Sequence, residues 1–278
     1  MDRLLNERPV IAHRPDAYAG IPELYDLEHA GFDDDVEMYR QFAYATGDPV
    51  LELACGTGRI MVPLATDGHR VTGLDRSGPM LERARLALAA AGSATPYHLV
   101  EADMTAAADS PGGPFGLVII GLNSLLHAGN GEEQRAILTA ARQACDPRGQ
   151  LIVDVLNPTP DQLQSLAGTA LDGQWTFPDG RRVMKFSDRR VSAADQTIAT
   201  SIWYDIVEAD GTLRREVTSF TLRYVSQAEL LLLLELTGWV DFECYGSYDL
   251  DPVTDQSDRL IVTAQLTPSE RFLTRVID

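Results

Sequence analysis

The chain has 278 residues, of which 45% are hydrophobic and 23% are charged, as is typical of a globular protein. This composition excludes a mainly disordered, collagen-like or membrane-spanning chain. With 41 acidic and 23 basic residues, the formal net charge is −18. A surface of that sign repels nucleic-acid phosphates and anionic membranes, so we expect neither as a partner.

The cysteines Cys55, Cys145 and Cys244 are far apart and form no C-x-x-C pair. We interpret them as reduced residues in a reducing compartment. Neither they nor the histidines have metal-ligand spacing, so we predict no metal site. The first nine residues contain no apolar segment of signal-peptide length. Together these features predict a cytoplasmic protein.

Short apolar runs alternate with helical segments between residues 49 and 158. Residues 1–35 have no regular pattern, and a helix is expected at 36–46. We predict strands at 50–54, 70–75, 97–101, 115–121 and 150–156, and helices at 59–66, 77–92 and 132–145. Strands and helices that alternate at this length indicate βαβ units on a parallel sheet.

The pattern changes after Pro158, where several runs are rich in β-branched and aromatic residues. Asp179-Gly180 and Asp210-Gly211 separate such runs and are typical of hairpin turns. We predict an antiparallel β insertion at about 168–225 and no second autonomous domain. A helix at 227–237 and strands at 240–245 and 259–266 complete an α/β fold.

The segment Glu52-Leu53-Ala54-Cys55-Gly56-Thr57-Gly58 follows the first predicted strand. Glycines there permit a tight turn and close approach of a ligand to the backbone, with the next helix N-terminus pointing at it. Asp75 ends the next strand, where a carboxylate can hold both hydroxyls of a ribose. Asp103 ends the third strand, at the height of an adenine ring. These residues predict a nucleoside site.

The residues at this site are more consistent with a cationic nucleoside as the ligand than with a dinucleotide. A dinucleotide fingerprint requires a third glycine, and that position is Met61 here. Glu52 lies beside the glycine turn, where a carboxylate repels a pyrophosphate but attracts an amino group or a sulfonium.

Five motifs in order resemble the class I S-adenosylmethionine-dependent methyltransferases. They are Glu-x-x-Cys-Gly-Thr-Gly (52–58), Gly-Leu-Asp-x-Ser-x-x-Met-Leu (73–81), Glu-x-Asp-Met (101–104), Phe-x-Leu-Val (115–118) and Pro-x-Gly-x-Leu (147–151). Within the class, the layout is most similar to glycine N-methyltransferase and the sugar-amine N-methyltransferases. The resemblance implies a doubly wound, Rossmann-like, mostly parallel sheet of seven strands at 49–278, with the antiparallel insertion after strand 5. Residues 1–48 would then be a segment that covers cofactor and substrate.

The resemblance also implies the cofactor, S-adenosylmethionine, with S-adenosylhomocysteine as the product. Its methionine part would lie at the two glycines, its ribose at Asp75 and its adenine between Arg76 and Met80. The predicted cofactor-binding residues are Tyr25, Arg40, Glu52, Ala54, Gly56, Gly58, Asp75, Arg76, Met80, Asp103, Met104 and Leu122.

The acceptor must present a free lone pair, so an ammonium or a hydroxyl has to lose a proton. His127 follows the fourth strand and is the predicted catalytic base; the alternative is that it only caps or packs under its loop. The segment 123–127 is similar to the Asn-Ser-x-x-His run of glycine N-methyltransferase. The predicted substrate-binding residues are Asn123, His127, Asn157, Arg223 and Tyr248.

We therefore predict a methyltransferase that acts on a small-molecule acceptor, by N-methylation of an amine. The main alternative is a small-molecule O-methyltransferase. Alternatives of other classes are a nicotinamide-dependent oxidoreductase and a non-catalytic cofactor-binding protein. The insertion is expected to cover the acceptor crevice or to build a subunit contact, which makes a homo-oligomer possible.

Overall fold

The computed structural model describes residues 15–268, which form two sheets. The first nine residues and His13 therefore lie outside the described residues. The strands are β1 Val50–Leu53, β2 Val71–Asp75, β3 Tyr97–Glu101, β4 Phe115–Ile120, β5 Cys145–Leu156, β6 Gly168–Thr176, β7 Arg182–Ser192, β8 Thr197–Val207, β9 Leu213–Arg223, β10 Val240–Tyr245 and β11 Arg259–Gln265.

The larger sheet has seven strands in the order β10-β11-β5-β4-β1-β2-β3. β1 to β5 pair in parallel, and β11 is antiparallel to both β5 and β10. β4 is buried along its whole length, as a strand covered on both faces must be. The predicted seven-stranded, mostly parallel α/β fold is confirmed.

The helices cover both faces of this sheet. They are α1 Pro22–His29, α2 Asp34–Thr46, α3 Met61–Thr66, α4 Gly78–Ala91, α5 Gly131–Ala144, α6 Pro160–Leu166 and α7 Gln227–Leu236, with 3-10 turns at Met104–Asp109 and Ser124–His127. The Ser77 hydroxyl caps α4 by accepting from the Met80 N–H, as the sequence predicted. α1 was not predicted. It contains few apolar residues, so its sequence pattern does not indicate a helix without the sheet on which it packs.

Two apolar layers flank the larger sheet. One contains Leu138 and Trp239 beside α5 and α7, and the other contains Tyr39, Leu64 and Leu88 beside α2, α3 and α4. Because both faces are filled, side chains can reach a ligand only at the strand ends.

The predicted insertion forms a second sheet in which β6, β7, β8 and β9 pair antiparallel in chain order. One face of this sheet packs on α1, with Val183, Ile202 and Ile206 against Ile21 and Leu24. The division into a covering segment at 1–48 and a domain at 49–278 stays a prediction. Within residues 15–268, the helices are all too short or too polar to cross a membrane.

Candidate active site

A cavity of about 1000 Å³ opens at the carboxyl ends of β1, β2 and β4. β1 and β4 are neighbours, and the chain continues from them to opposite edges of the sheet. Open α/β sheets bind ligands at such a switch point. The predicted site residues that line the cavity are Tyr25, Glu52, Ala54, Gly56, Asp75, Arg76, Met80, Asp103, Met104, Leu122, Asn123, His127 and Arg223.

The glycine turn follows β1 as the sequence predicted. Gly56 has φ +55°, and a Cβ there would meet the Met80 side chain at 3.3 Å. Glycine at this position therefore leaves room for a ligand against the backbone. Gly58 has φ +84° and packs against Ala84 of α4, so it shapes the turn without lining the cavity.

Asp75 ends β2 and is nearly buried. One carboxylate oxygen accepts from the Gly56 N–H at 2.9 Å, and the other accepts from the Ser77 N–H at 2.8 Å. Burial raises the pKa of Asp75, while these two N–H groups act in the opposite direction. The carboxylate is thus held rigidly with its remaining lone pairs available to hydroxyl donors.

Asp103 caps the 3-10 turn after β3. One of its carboxylate oxygens accepts from the Thr105 N–H at 3.0 Å and from the Thr105 hydroxyl at 2.8 Å. The neighbouring Met104 and the buried Met80 line the same part of the cavity. Arg76 donates to the Pro15 carbonyl at 2.9 Å. This arrangement provides two flexible apolar side chains for a flat ring and a carboxylate near its edge.

Glu52 is 5% exposed and lies at the bottom of the cavity. Burial raises its pKa to about 8, although the nearby Arg59 guanidinium and the backbone N–H of Met61 act to lower it. Among the described residues, its Oε2 atom has no hydrogen-bond partner. A buried acceptor without a donor favours a cationic or donor ligand at this point.

Arg59 is a cavity residue that the sequence analysis missed. Its two terminal nitrogens bind the buried carboxylate of Asp35, one of them at 2.8 Å, and it also donates to the Phe32 carbonyl at 3.0 Å. Its Nε is buried and has no partner within residues 15–268. Its position directly after Gly56-Thr57-Gly58 is a signal that could have identified it.

The segment around α1 lies over the cavity. Tyr25 lines it and stacks on His29 with ring centroids 4.1 Å apart. Burial raises the pKa of Tyr25 to about 12, and burial lowers the pKa of His29. Both groups are thus neutral near pH 7, which suits a position against an apolar part of a ligand.

His127 ends the 3-10 turn after β4 and faces the cavity. Its Nε2 lies 3.1 Å from the hydroxyl of Tyr18. The Phe220 ring lies 5.1 Å from the imidazole and stacks on Tyr18 at 5.9 Å. Burial raises the pKa of Tyr18 above its ordinary value. A neutral phenol, an imidazole and an aromatic ring from three remote segments therefore meet here.

Asp154 holds the turn that carries His127, and the sequence analysis missed it. This fully buried carboxylate accepts from the Leu122 N–H at 3.2 Å and binds Arg259 through its Nε at 2.8 Å. The Asn123 side chain accepts from the Leu156 N–H at 2.6 Å. Leu122 and Asn123 both have positive φ, so these bonds fix an otherwise unfavourable turn.

Besides Gly58, three further predicted residues lie outside the lining of the cavity. Arg40 lies on the surface and binds Asp67 at 2.6 Å, because the opposite side of α2 packs on the sheet. The Tyr248 hydroxyl donates to Asp154 at 3.2 Å from the other side of that carboxylate. The Asn157 amide donates to the Ser257 carbonyl at 2.9 Å and closes a loop. None of these three residues lines the cavity, and their roles in binding stay predictions.

Arg223 lines the cavity but is engaged by its own surroundings. Its guanidinium binds Gln134 at 2.6 Å, Gln196 at 3.0 Å and Glu229 at 2.7 Å. An arginine with these partners holds β9 to α5 and α7, and its predicted role in substrate binding stays a prediction.

Lys185 is the single lysine of the chain and another cavity residue that the sequence analysis missed. It is 7% exposed and forms an ion pair with Glu28 of α1. The Tyr204 hydroxyl donates to the same carboxylate at 3.1 Å. This group ties the insertion sheet to α1 across the cavity.

Residues 50–149 match a protein family described as "Methyltransferase domain". Over 222 residues, the chain is 28% identical to a cypemycin N-terminal methyltransferase from a Streptomyces species, covering 79% of this chain and 83% of that protein. One similar structure is an S-adenosylmethionine-dependent methyltransferase from Clostridium acetobutylicum, with a TM-score of 0.73, 16% identity and coverage of 91% of this chain and 100% of that one. Another is a sugar N-methyltransferase from Streptoalloteichus, with a TM-score of 0.72, 21% identity and coverage of 94% and 99%. These two structures share the fold of this chain.

Proposed function

We propose that the chain, which contains a methyltransferase domain at residues 50–149, is a class I S-adenosylmethionine-dependent methyltransferase that methylates the nitrogen of a small-molecule amine. The cofactor supplies a methyl group on a sulfonium and leaves as S-adenosylhomocysteine. A transfer of this kind depends mainly on alignment of the two reactants and exclusion of water. The protein therefore has to hold a donor and an acceptor in line within one cavity.

The residues present fit the cofactor. Asp75 would accept from the ribose hydroxyls, and Met80 and Met104 would pack on the adenine. The buried Oε2 of Glu52, which has no partner among the described residues, would accept from the ammonium of the methionine part. Gly56 leaves space for that part against the turn.

The observation that carries the proposal is the contact between the Tyr18 hydroxyl and Nε2 of His127, beside the Phe220 ring. Aromatic rings attract a cationic amine and its methylated product by cation–π interaction. His127 takes the proton that the amine loses, and Tyr18 orients the imidazole for that step. The 28% identical relative is named as an N-terminal methyltransferase, and this name supports nitrogen as the atom that is methylated.

Two of the alternatives fit the cavity less well. A nicotinamide dinucleotide would place its pyrophosphate near Glu52, and the position of the third glycine is filled by the buried Met61. A protein that only binds the cofactor has no use for a histidine and a tyrosine in contact at the acceptor end. We further propose a cytoplasmic enzyme that does not bind nucleic acid, in keeping with its net charge of −18.

The proposal is tested with methyl-labelled S-adenosylmethionine and a panel of amines, hydroxylated metabolites and carboxylic acids. We expect label on nitrogen only, with a rate that rises with pH as the acceptor ammonium deprotonates. Label on oxygen only would replace the proposal by the O-methyltransferase alternative. No transfer to any acceptor, with intact cofactor binding, would favour a non-catalytic protein.

A further inference from the structure

β9 is an edge strand of the insertion sheet, because it pairs with β8 on one side only. The Tyr224 N–H donates to the Gln196 carbonyl at 2.9 Å, so this pair is hydrogen-bonded. Bonded and non-bonded pairs alternate in an antiparallel ladder. Even-numbered residues of β9 therefore bond to β8, and odd-numbered residues direct their N–H and C=O groups away from it.

The contacts at the end of β9 support this assignment. The carbonyl of Arg223, an odd-numbered residue, accepts from the Gln134 amide at 3.0 Å on the side away from β8. Ser219 and Thr221 are the preceding odd-numbered residues, and both are exposed. Within residues 15–268, their outward backbone groups have no hydrogen-bond partner. Two N–H and two C=O groups at a two-residue spacing are thus available.

These available groups border the active site. Ser219 and Thr221 line the same cavity as Asn123, Ser124 and Gly129 of the loop opposite. Phe220, between the two, points its ring at His127, 5.1 Å away. The edge of β9 and the loop at 123–129 therefore both border the cavity that contains the imidazole.

We propose that the acceptor is the N-terminal amine of a short, extended peptide that adds to the edge of β9 as a fifth strand. This inference rests on the proposed N-methylation and specifies its substrate. A peptide backbone offers alternating donors and acceptors at the two-residue period of Ser219 and Thr221, which saccharides and simple amines lack. Its cationic terminus would enter the end of the cavity that is lined by the rings of Tyr18, His127 and Phe220.

The reaction balances without any further reactant. The lone pair of the neutral terminal amine forms the N–C bond as the C–S bond of S-adenosylmethionine breaks, and the electron pair of that bond stays on sulfur. The products are S-adenosylhomocysteine and the N-methyl peptide, and the amine proton passes to His127.

The experiment compares the peptide Ser-Ala-Ser-Ala-Ser-Ala amide with the dipeptide Ser-Ala amide, both with free N-termini, on the full chain. Thr221→Pro removes one outward N–H at a position where an edge strand tolerates proline. We expect it to raise the ratio of the hexapeptide KM to the dipeptide KM about five- to tenfold, as for one lost backbone hydrogen bond. Gln174→Pro is the matched control, because it lies in β6 at the opposite edge of the same sheet. The Phe177 N–H donates to the Arg181 carbonyl, so odd-numbered residues of this part of β6 bond to β7. The N–H of Gln174 therefore points outward, as that of Thr221 does.

A second measurement uses the unaltered protein, so that it does not depend on how the proline variant folds. Two hexapeptides carry a backbone N-methyl group at residue 3 or at residue 4. Strand addition predicts KM values that differ at least fivefold, because only alternate N–H groups face β9. Equal KM values for both peptides, or for hexapeptide and dipeptide, would overturn the peptide proposal while N-methylation of amines stands. Failure to methylate any amine would overturn the proposed function itself. Sedimentation could instead show that the unaltered protein is a dimer and that Thr221→Pro dissociates it. If the KM of the hexapeptide is then unchanged, the edge of β9 binds a second copy of the chain, and the peptide proposal is overturned.

Discussion

Replacing Asp75 by alanine removes the carboxylate that closes the β2 end of the cavity. In the structure, its two oxygens accept from the backbone N–H groups of Gly56 and Ser77 at 2.9 and 2.8 Å. The substitution therefore has two separable consequences. The ribose loses its acceptor, and two N–H groups at the glycine turn lose theirs.

Hydrogen bonds to a charged group contribute about 1.5–3 kcal/mol. We expect S-adenosylhomocysteine to bind Asp75→Ala more weakly by about this amount, which is about 10- to 150-fold in Kd. The two N–H groups without an acceptor lower the free energy of unfolding by about 1–3 kcal/mol. This loss is smaller where water enters and accepts from them. Affinity and stability should thus both fall.

Titration calorimetry measures the affinity, and a denaturant titration of each variant verifies that it is folded. Asp67→Ala is the matched control, because it removes the same charge from the surface ion pair with Arg40. We expect its Kd within twofold of the unaltered protein. If Asp75→Ala binds as tightly as the control, the ribose is held elsewhere and the assignment of the cavity is wrong.

Three further predictions concern other parts of the site. Burial raises the pKa of Glu52 to about 8, so its neutral form dominates at lower pH, whereas the ammonium of the ligand favours the ionised form. The affinity for S-adenosylhomocysteine should therefore rise with pH and level off above pH 8. Calorimetry near pH 7 in two buffers should show proton release, and Glu52→Gln should abolish it. Asp154→Asn leaves the partly buried Arg259 without its fully buried counter-ion, so the free energy of unfolding should fall by about 3–5 kcal/mol in denaturant titration; a loss below about 1 kcal/mol contradicts this. His127→Ala should lower turnover about 10²-fold at unchanged cofactor affinity, and a loss of less than about fivefold would leave the histidine a structural role.

The glycine turn and the strand-end acids were predictable because their signals are local. A run of apolar residues that ends in Glu52 to Gly58, or in Asp75, marks the carboxyl end of a buried strand without reference to any other segment. Parallel strands bring those ends to one edge, so the order of elements was enough to assemble the cofactor side of the cavity. The hairpin turns of the insertion were predictable for the same reason.

The acceptor side depended on the direction of side chains and on contacts between remote segments. Tyr18 and His127 are 109 residues apart, and their contact forms only when α1 packs on the insertion sheet. Arg40 lies in the predicted covering segment, yet it turns to Asp67 because α2 buries the other side of its surface.

The sequence by itself determined the fold class, the switch point and the carboxylates at the strand ends, since strand and turn patterns carry these over short distances. Only the tertiary structure decided that Asp154 would organise the turn before His127, and that Ser219 and Thr221 would line the cavity. A buried carboxylate acquires its role from the groups packed around it. An edge strand acquires its free side from the register of its partner, and neither is written in the order of neighbouring residues.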